Sequence, residues 1–521
     1  MSEVTYKILR KTYLDAYQKA LRHVNRLSNE DKLERALRHA EYAASIAWHR
    51  PILPDFIDSH LETEIEKIAA NFIETYTFPR QARGDQCKRA VLYNGQIIDT
   101  GALTEQYLNY LIDNNYEVLF LVQDVRNTVK GQKILQRLEL LSNVKVVILD
   151  SGSHISKIRQ LHQTIIGFDP DFSFLHFLPN DIVGYAAFSK LIGRPRYFIV
   201  HNDHTFWVGK GCSDYFLEFR QLGARLTIER RGIPSSQIVK VPFYPIHSTV
   251  SFQGLPFDPS DKVVGLSGAL LSKYFRDPEL KYFQSIKKLL YAHEDFVFCL
   301  CGTGTVEEVE WINRFIRSND LKDRFFYLGG RDDFFELVGK VDILFESFPQ
   351  IGCLVVLFAT TQGKAVVGIG SKESYPGTTS QFLDIENYQQ PLTFEEFEAE
   401  ATRLIDDKDY RIENARKFSD TLYNKKSFYA NLAQLVDLGF SYQEELSYKK
   451  KKIVTKFENY DIELNKEQNV TEFLLRLKYR AYFYGKLMGR LCDVILTLRF
   501  NGLKILMRRV QKKNWLLRIR M

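Results

Sequence analysis

Two series of short, almost wholly apolar runs constrain this chain more than any other feature. The first comprises RAVLYN, EVLFLVQ, VKVVILD, DFSFLHFL, RYFIVHN and IVKVPFY, spread over 89–244. The second comprises KVVGLSG, FVFCLCG, RFFYLGG, VDILFES and AVVGIG, over 262–370. Strands with one wet face alternate polar and apolar residues. Continuous apolar, β-branched runs belong to strands buried on both faces, hence to parallel sheets covered by helices. Stretches of helical length such as LTEQYLNYLIDNN, AAFSKLIG, KYFQSIKKLLYA and VEEVEWINRFIRS lie between the runs and supply the crossovers. Between the two series, SFQGLPFDPSDK holds two prolines and no period, as a linker does. The expected fold class is α/β, with one doubly wound, Rossmann-like domain over 87–250 and a second over 262–440.

Residues 1–86 read as a helical extension capping the first domain. LERALRHAEYAASIAW and LETEIEKIAANFIETY space their apolar residues at three and four, and Pro51, Pro54 and Pro79 interrupt them. The other end, 445–521, reads as a basic amphipathic helical tail. From 473 to 521 thirteen Lys/Arg face one acid, Asp493, so the preceding 472 residues carry −5 of the net +7. Apolar clusters alternating with cations suit the surface of an anionic membrane. A helical pair packed on the body and a protein-docking arm are the alternatives. An acidic body without a recognised module argues against nucleic acid. The six cysteines are scattered, with no CxxC pair, so neither a disulfide framework nor a zinc cluster is expected. Nothing resembles a signal peptide or a run of about 20 apolar residues. The expected location is cytoplasmic, peripherally at the inner face of the membrane.

Four of the five runs in the second series end in glycine. Ligands of doubly wound sheets bind beyond the carboxyl ends of the strands, where glycine lets backbone N–H groups approach a phosphate. Ser267 and Gly268 stand at one such end, with Lys273 five residues on as a cation for a diphosphate. Gly302, Thr303 and Gly304 form a second loop. One glycine pair is as well explained by turn geometry; recurrence at successive strand ends is what points to a ligand.

The block FFYLGGRDDFFELVGKVDILFESFPQIGCLVVLFATTQGKAVVGIG resembles the donor domain of GT-B fold, nucleotide-sugar-dependent glycosyltransferases. The resemblance extends over 89–440 in order and spacing, and implies two Rossmann-like domains facing a cleft. It implies that Leu328 and Gly329 lie beside the nucleotide base, that Glu346 and Ser347 face ribose and phosphates, and that the helix after Gly352 points its N-terminus at the diphosphate. It also implies a nucleotide diphosphate sugar as co-substrate and no metal. The helical block looks like the extension of bacterial enzymes that glycosylate adhesins. Two departures stand out. Phe358 occupies the place where many retaining members carry Glu, and Cys353, Leu354 and Val355 follow Gly352 where protein-modifying members place polar residues. Both leave an inverting enzyme or an inactive relative.

The run IVHNDHTFWVGKGCSDYF places His201, Asp203 and His204 just past a strand of the first domain. An inverting transfer needs a base near neutral pKa, and His204 is the first candidate, Asp203 the second, His201 the third. Phe206 and Trp207 are candidates to stack on a sugar, Asp214 to lie near by, and His176 to join from another strand end. Arg230 and Arg231 read as surface charges. The alternatives are an ordinary loop and, less well spaced, a metal site. The expected function is transfer of a sugar to a glycan acceptor, lipid-linked at the membrane face. A protein-modifying transferase and a catalytically inactive accessory or carbohydrate-binding protein are the rivals. Oligomeric state is not legible.

Overall fold

The computed structural model describes residues 3–49, 52–79, 88–95, 102–123, 129–149, 152–246, 250–370, 383, 385, 390–420 and 422–437. The expectations for the basic tail lie outside these residues. Helices α1 (Glu3–Asn29), α2 (Leu33–His49) and α3 (Ser59–Ala69) open the chain. On α2 the buried positions are largely alanine, Ala36, Ala40, Ala43, Ala44 and Ala47, so its backbone lies close to its neighbours. Asp58 caps α3, accepting from the backbone N–H groups of His60 and Leu61, and Tyr17 of α1 donates to the same carboxylate at 2.6 Å. The block is not purely helical. Strand β1 (Tyr76–Thr77) pairs in parallel with β6 (Leu191–Ile192). The second half of AAFSKLIG is therefore strand, and the helix before it stops at Phe188.

The first sheet contains β2 (Arg89–Asn94), β3 (Glu117–Val122), β4 (Val144–Ile148), β5 (Phe172–His176), β7 (Arg196–Ile199), β8 (Tyr215–Glu218) and β9 (Ile238–Lys240). Their order is β4-β3-β2-β5-β7-β8-β9, with every pairing parallel. Strand β8, hidden in SDYFLEFR between polar flanks, was not legible in the sequence. The period of two divides β2 cleanly: Val91 and Tyr93 join the core shared with the helical block, while Ala90 and Leu92 face the other core. That second core is completed by Phe428, Leu432 and Leu435 of helix Lys425–Asp437. Lys425 and Tyr429 both reach Asp113 at 2.7 Å. The last helix of the 262–440 block thus returns to the first sheet.

The second sheet contains β10 (Val263–Gly268), β11 (Phe296–Cys301), β12 (Phe325–Gly329), β13 (Ile343–Phe345) and β14 (Ala365–Val367), ordered β12-β11-β10-β13-β14 and parallel throughout. Leu300 pairs with Tyr327 but Cys301 with Gly329, so Leu328 is the extra residue of a bulge. In both sheets the strand order reverses beside the central strand, which opens a crevice at the carboxyl edge between β2 and β5 and between β10 and β13.

Candidate functional site

At the first sheet's carboxyl edge, Asn94 ends β2 and His176 ends β5. Asn94 Nδ2 donates to Thr104 Oγ1 at 3.0 Å, and Thr104 Oγ1 lies 2.7 Å from His176 Nδ1. The His176 ring stands 5.3 Å from that of His201. Burial, reinforced by His201, pulls His176 down to about 3, so both imidazoles are held neutral. Asn94 and Thr104 escaped sequence reading because a single amide or hydroxyl at a strand end carries no spacing signal.

Two residues past His201, Asp203 is fully buried. Arg220 grips it with Nε on Oδ2 at 2.5 Å and Nη2 on Oδ1 at 2.9 Å. Burial alone would raise this carboxyl; Arg220 and His204 outweigh it and hold Asp203 far below the usual carboxylate range. It is therefore ionised, enclosed and unable to meet an acceptor. His204 sits differently. Its side chain keeps 25% exposure and its Nδ1 lies 2.9 Å from Asp203 Oδ1, so the buried acid fixes one ring nitrogen and orients the other. The Asp203 carboxylate thus fixes the orientation of the His204 ring.

Three further expectations are corrected here. Trp207 and Phe206 are 2% exposed, and Trp207 stacks on Phe216 at 5.8 Å, so neither meets a sugar. Asp214 precedes β8 and binds Arg196 at the start of β7, at the opposite edge of the sheet. Arg231 is 1% exposed rather than a surface charge. Its guanidinium lies 4.6 Å from the Trp207 ring and donates to the carbonyls of Asp203 and Thr205, both at 2.7 Å. Charge-assisted bonds of this kind contribute roughly 1.5–3 kcal/mol each, so this buried arginine pins the loop that carries His204. Below it, Glu218 at the end of β8 accepts from Thr227 Oγ1 at 2.5 Å, and burial with Asp203 near by pushes it up to about 8.

The second sheet's carboxyl edge gathers most of the glycines singled out above. A Cβ on Gly352 would lie 3.4 Å from Ser347 Oγ and 3.5 Å from the Gly268 carbonyl, so the turn after β13 adjoins the end of β10. Gly352 precedes the helix Cys353–Thr361 and gives it no side-chain cap. Lys273, in the 3-10 segment Leu271–Arg276, donates to the Ile351 carbonyl at 3.0 Å, which sets its ammonium beside that helix start. The neighbouring loops are tied together: Gly302 N–H donates to Gly329 O at 2.8 Å and Leu271 N–H to Thr303 O at 2.9 Å. Gly302 has φ +145, and a Cβ there would stand 1.8 Å from the Ala269 carbonyl oxygen. Gly304 packs on Leu271. Ser267, by contrast, is fully buried with its hydroxyl 2.7 Å from Tyr274 Oη, so it is a core residue. Leu328 is half-buried against the core cluster that contains Leu337, Leu344 and Val356. Glu346 is 3% exposed against Gly368. Phe358 is half-buried and packs on Phe335 at 5.5 Å. Among the described residues no three His, Cys, Asp or Glu side chains gather in a way that would hold a metal ion.

No family model matches the chain, and no curated relative does. Solved structures do match. The Anabaena protein Alr3699/HepE, crystallised in complex with UDP, is 14% identical, with TM-score 0.51 over 67% of this chain and 100% of that one. A glycosyltransferase from Rickettsia africae is 12% identical, with TM-score 0.52 over 67% of this chain and 98% of that one. The likeness is one of architecture, and it agrees with the two parallel sheets and their strand orders: this chain has the GT-B fold of nucleotide-sugar glycosyltransferases.

Proposed function

We propose that the protein is a glycosyltransferase that moves a sugar from a nucleotide diphosphate donor to a glycan acceptor with inversion. The observation that carries this reading is the convergence of Gly268, Ser347 and Gly352 with the anchored Lys273 at the switch point of the second sheet. Backbone N–H groups and one ammonium there suit a diphosphate, and stabilise it as it leaves. At the other sheet's edge, His204, aligned by Asp203, takes the proton of the acceptor hydroxyl while its oxygen attacks the anomeric carbon. The bond to the diphosphate breaks in the same step. Phe358, an apolar side chain where many retaining members carry Glu, supports inversion over retention. UDP is the first donor nucleotide to test, because Alr3699/HepE was solved with it.

Thermal stabilisation against a panel of nucleoside diphosphates tests the donor site. At a hundredfold excess over Kd a ligand adds about 2.7 kcal/mol. We expect a shift with one nucleotide, lost in Lys273→Ala. No shift with any of them overturns the reading in favour of an accessory protein. The basic segment 473–521 supports an acceptor at a membrane surface, with a lipid-linked glycan as its natural form. Deleting 473–521 is then expected to move the protein from the membrane to the soluble fraction, and unchanged fractionation refutes that part.

A further inference from the structure

The helical block does more than cover a sheet face. Glu62 of α3 is 5% exposed and points into the loop that follows His204. Its Oε1 accepts from the N–H groups of Gly209 at 2.7 Å and Lys210 at 3.1 Å, and its Oε2 from Gly211 at 3.0 Å. One carboxylate thus satisfies three consecutive amides, a nest that binds an anion as a unit. Both glycines are needed for the approach: a Cβ on Gly209 would meet the Phe198 ring at 2.4 Å, and one on Gly211 would meet Tyr185 Oη at 2.4 Å. The helical block also holds the loop at its middle. Phe56, in the left-handed region at φ +55, accepts from Trp207 N–H at 3.3 Å and lays its ring 5.5 Å from the Arg231 guanidinium. Lys210 closes the ring by donating to the Arg231 carbonyl at 2.9 Å.

We infer that Glu62 is a positioning residue of the candidate transfer site: with Arg231 at one end and Glu62 at the other, the loop 203–211 is fixed at both ends, so the helical block builds the acceptor side. The catalytic part of this inference rests on His204 as the base. Among the described residues, no strand of the first sheet bonds the Gly209, Lys210 and Gly211 amides.

The test uses the full chain with Glu62→Gln, Glu62→Ala and, as a control that loosens the same block elsewhere, Tyr17→Phe. Glu62→Gln keeps the oxygen shared by Gly209 and Lys210 and loses the third bond, so it is the milder variant. Amide exchange is expected to rise tenfold or more over 205–211 in Glu62→Ala, less in Glu62→Gln, and to stay unchanged there in Tyr17→Phe. UDP release from UDP-glucose is expected to fall in kcat in the same order, at least tenfold for Glu62→Ala, with KM for UDP-glucose unchanged. Unaltered exchange over 205–211, or raised exchange with undiminished kcat, overturns the inference. A wild-type protein that shows no thermal shift with any nucleoside diphosphate, or His204→Ala with undiminished kcat, overturns the proposed function instead, and the exchange measurement still decides whether Glu62 holds the loop.

Discussion

Replacing Glu218 with glutamine is expected to stabilise the protein, and to do so increasingly as pH rises from 5 to 7. Glu218 is fully buried. Its Oε1 is bonded to Thr227, its Oε2 has no hydrogen-bond partner, and a Cβ on Gly223 would find Glu218 Oε2 at 2.4 Å and Asp203 Oδ2 at 2.8 Å. A second negative charge beside ionised Asp203 is unfavourable, so burial first and Asp203 second raise the carboxyl from 4.5 to about 8. A raised folded pKa means that the group's contribution to stability is fully present below the unfolded value and is lost as pH rises through the folded one. At pH 7 the unfolded chain gains by releasing this proton while the folded chain keeps it, a cost of roughly 3 kcal/mol, against under about 1 kcal/mol at pH 5. Glutamine mimics the protonated acid and carries no such cost. The stability of Glu218→Gln relative to wild type should therefore grow by about 2–3 kcal/mol between pH 5 and pH 7. Asp203 titrates in both proteins and cancels from the difference. Urea unfolding of both at the two pH values measures it. A difference that does not change with pH, or that shrinks towards pH 7, refutes the claim that Glu218 is buried as the neutral acid.

His154 supplies a test of opposite character. Its Nδ1 lies 3.3 Å from Glu34 and its Nε2 2.9 Å from Glu41, and these acids outweigh burial to lift it to about 9. His154→Gln should cost about 2–3 kcal/mol at pH 6, with the loss fading as pH rises through about 9, in the same unfolding assay. Gly302→Ala forces a Cβ to 1.8 Å from Ala269 O at φ +145. It should lower stability by about 2 kcal/mol or more and abolish the thermal shift with nucleotide; a variant that keeps both shows that the 302–304 loop is not part of the donor site.

What the sequence determined by itself was whatever is written in local period. Runs such as FVFCLC, apolar at every position, six residues long and closed by glycine, read as strands buried on both faces, and alternating them with amphipathic helices leaves parallel sheets as the outcome. Glycine at successive strand ends marked the edge where Gly268, Gly302 and Gly329 now stand. Tertiary structure decided which polar residues near those ends are sealed and which stay accessible. Asp203 and His204 are adjacent and both polar, yet one is sealed by Arg220, 17 positions on, and the other keeps a partly exposed ring. Arg231 reads as half of an ordinary charged pair until its guanidinium is found on carbonyls 26 and 28 positions back. Glu62 lies 147 positions from Gly209, on a helix whose own period explains only its apolar face. A strand or helix is selected by each side chain's own burial, which neighbours in sequence encode. A buried charge is tolerable only with its partner, and the partner is delivered by packing between distant segments.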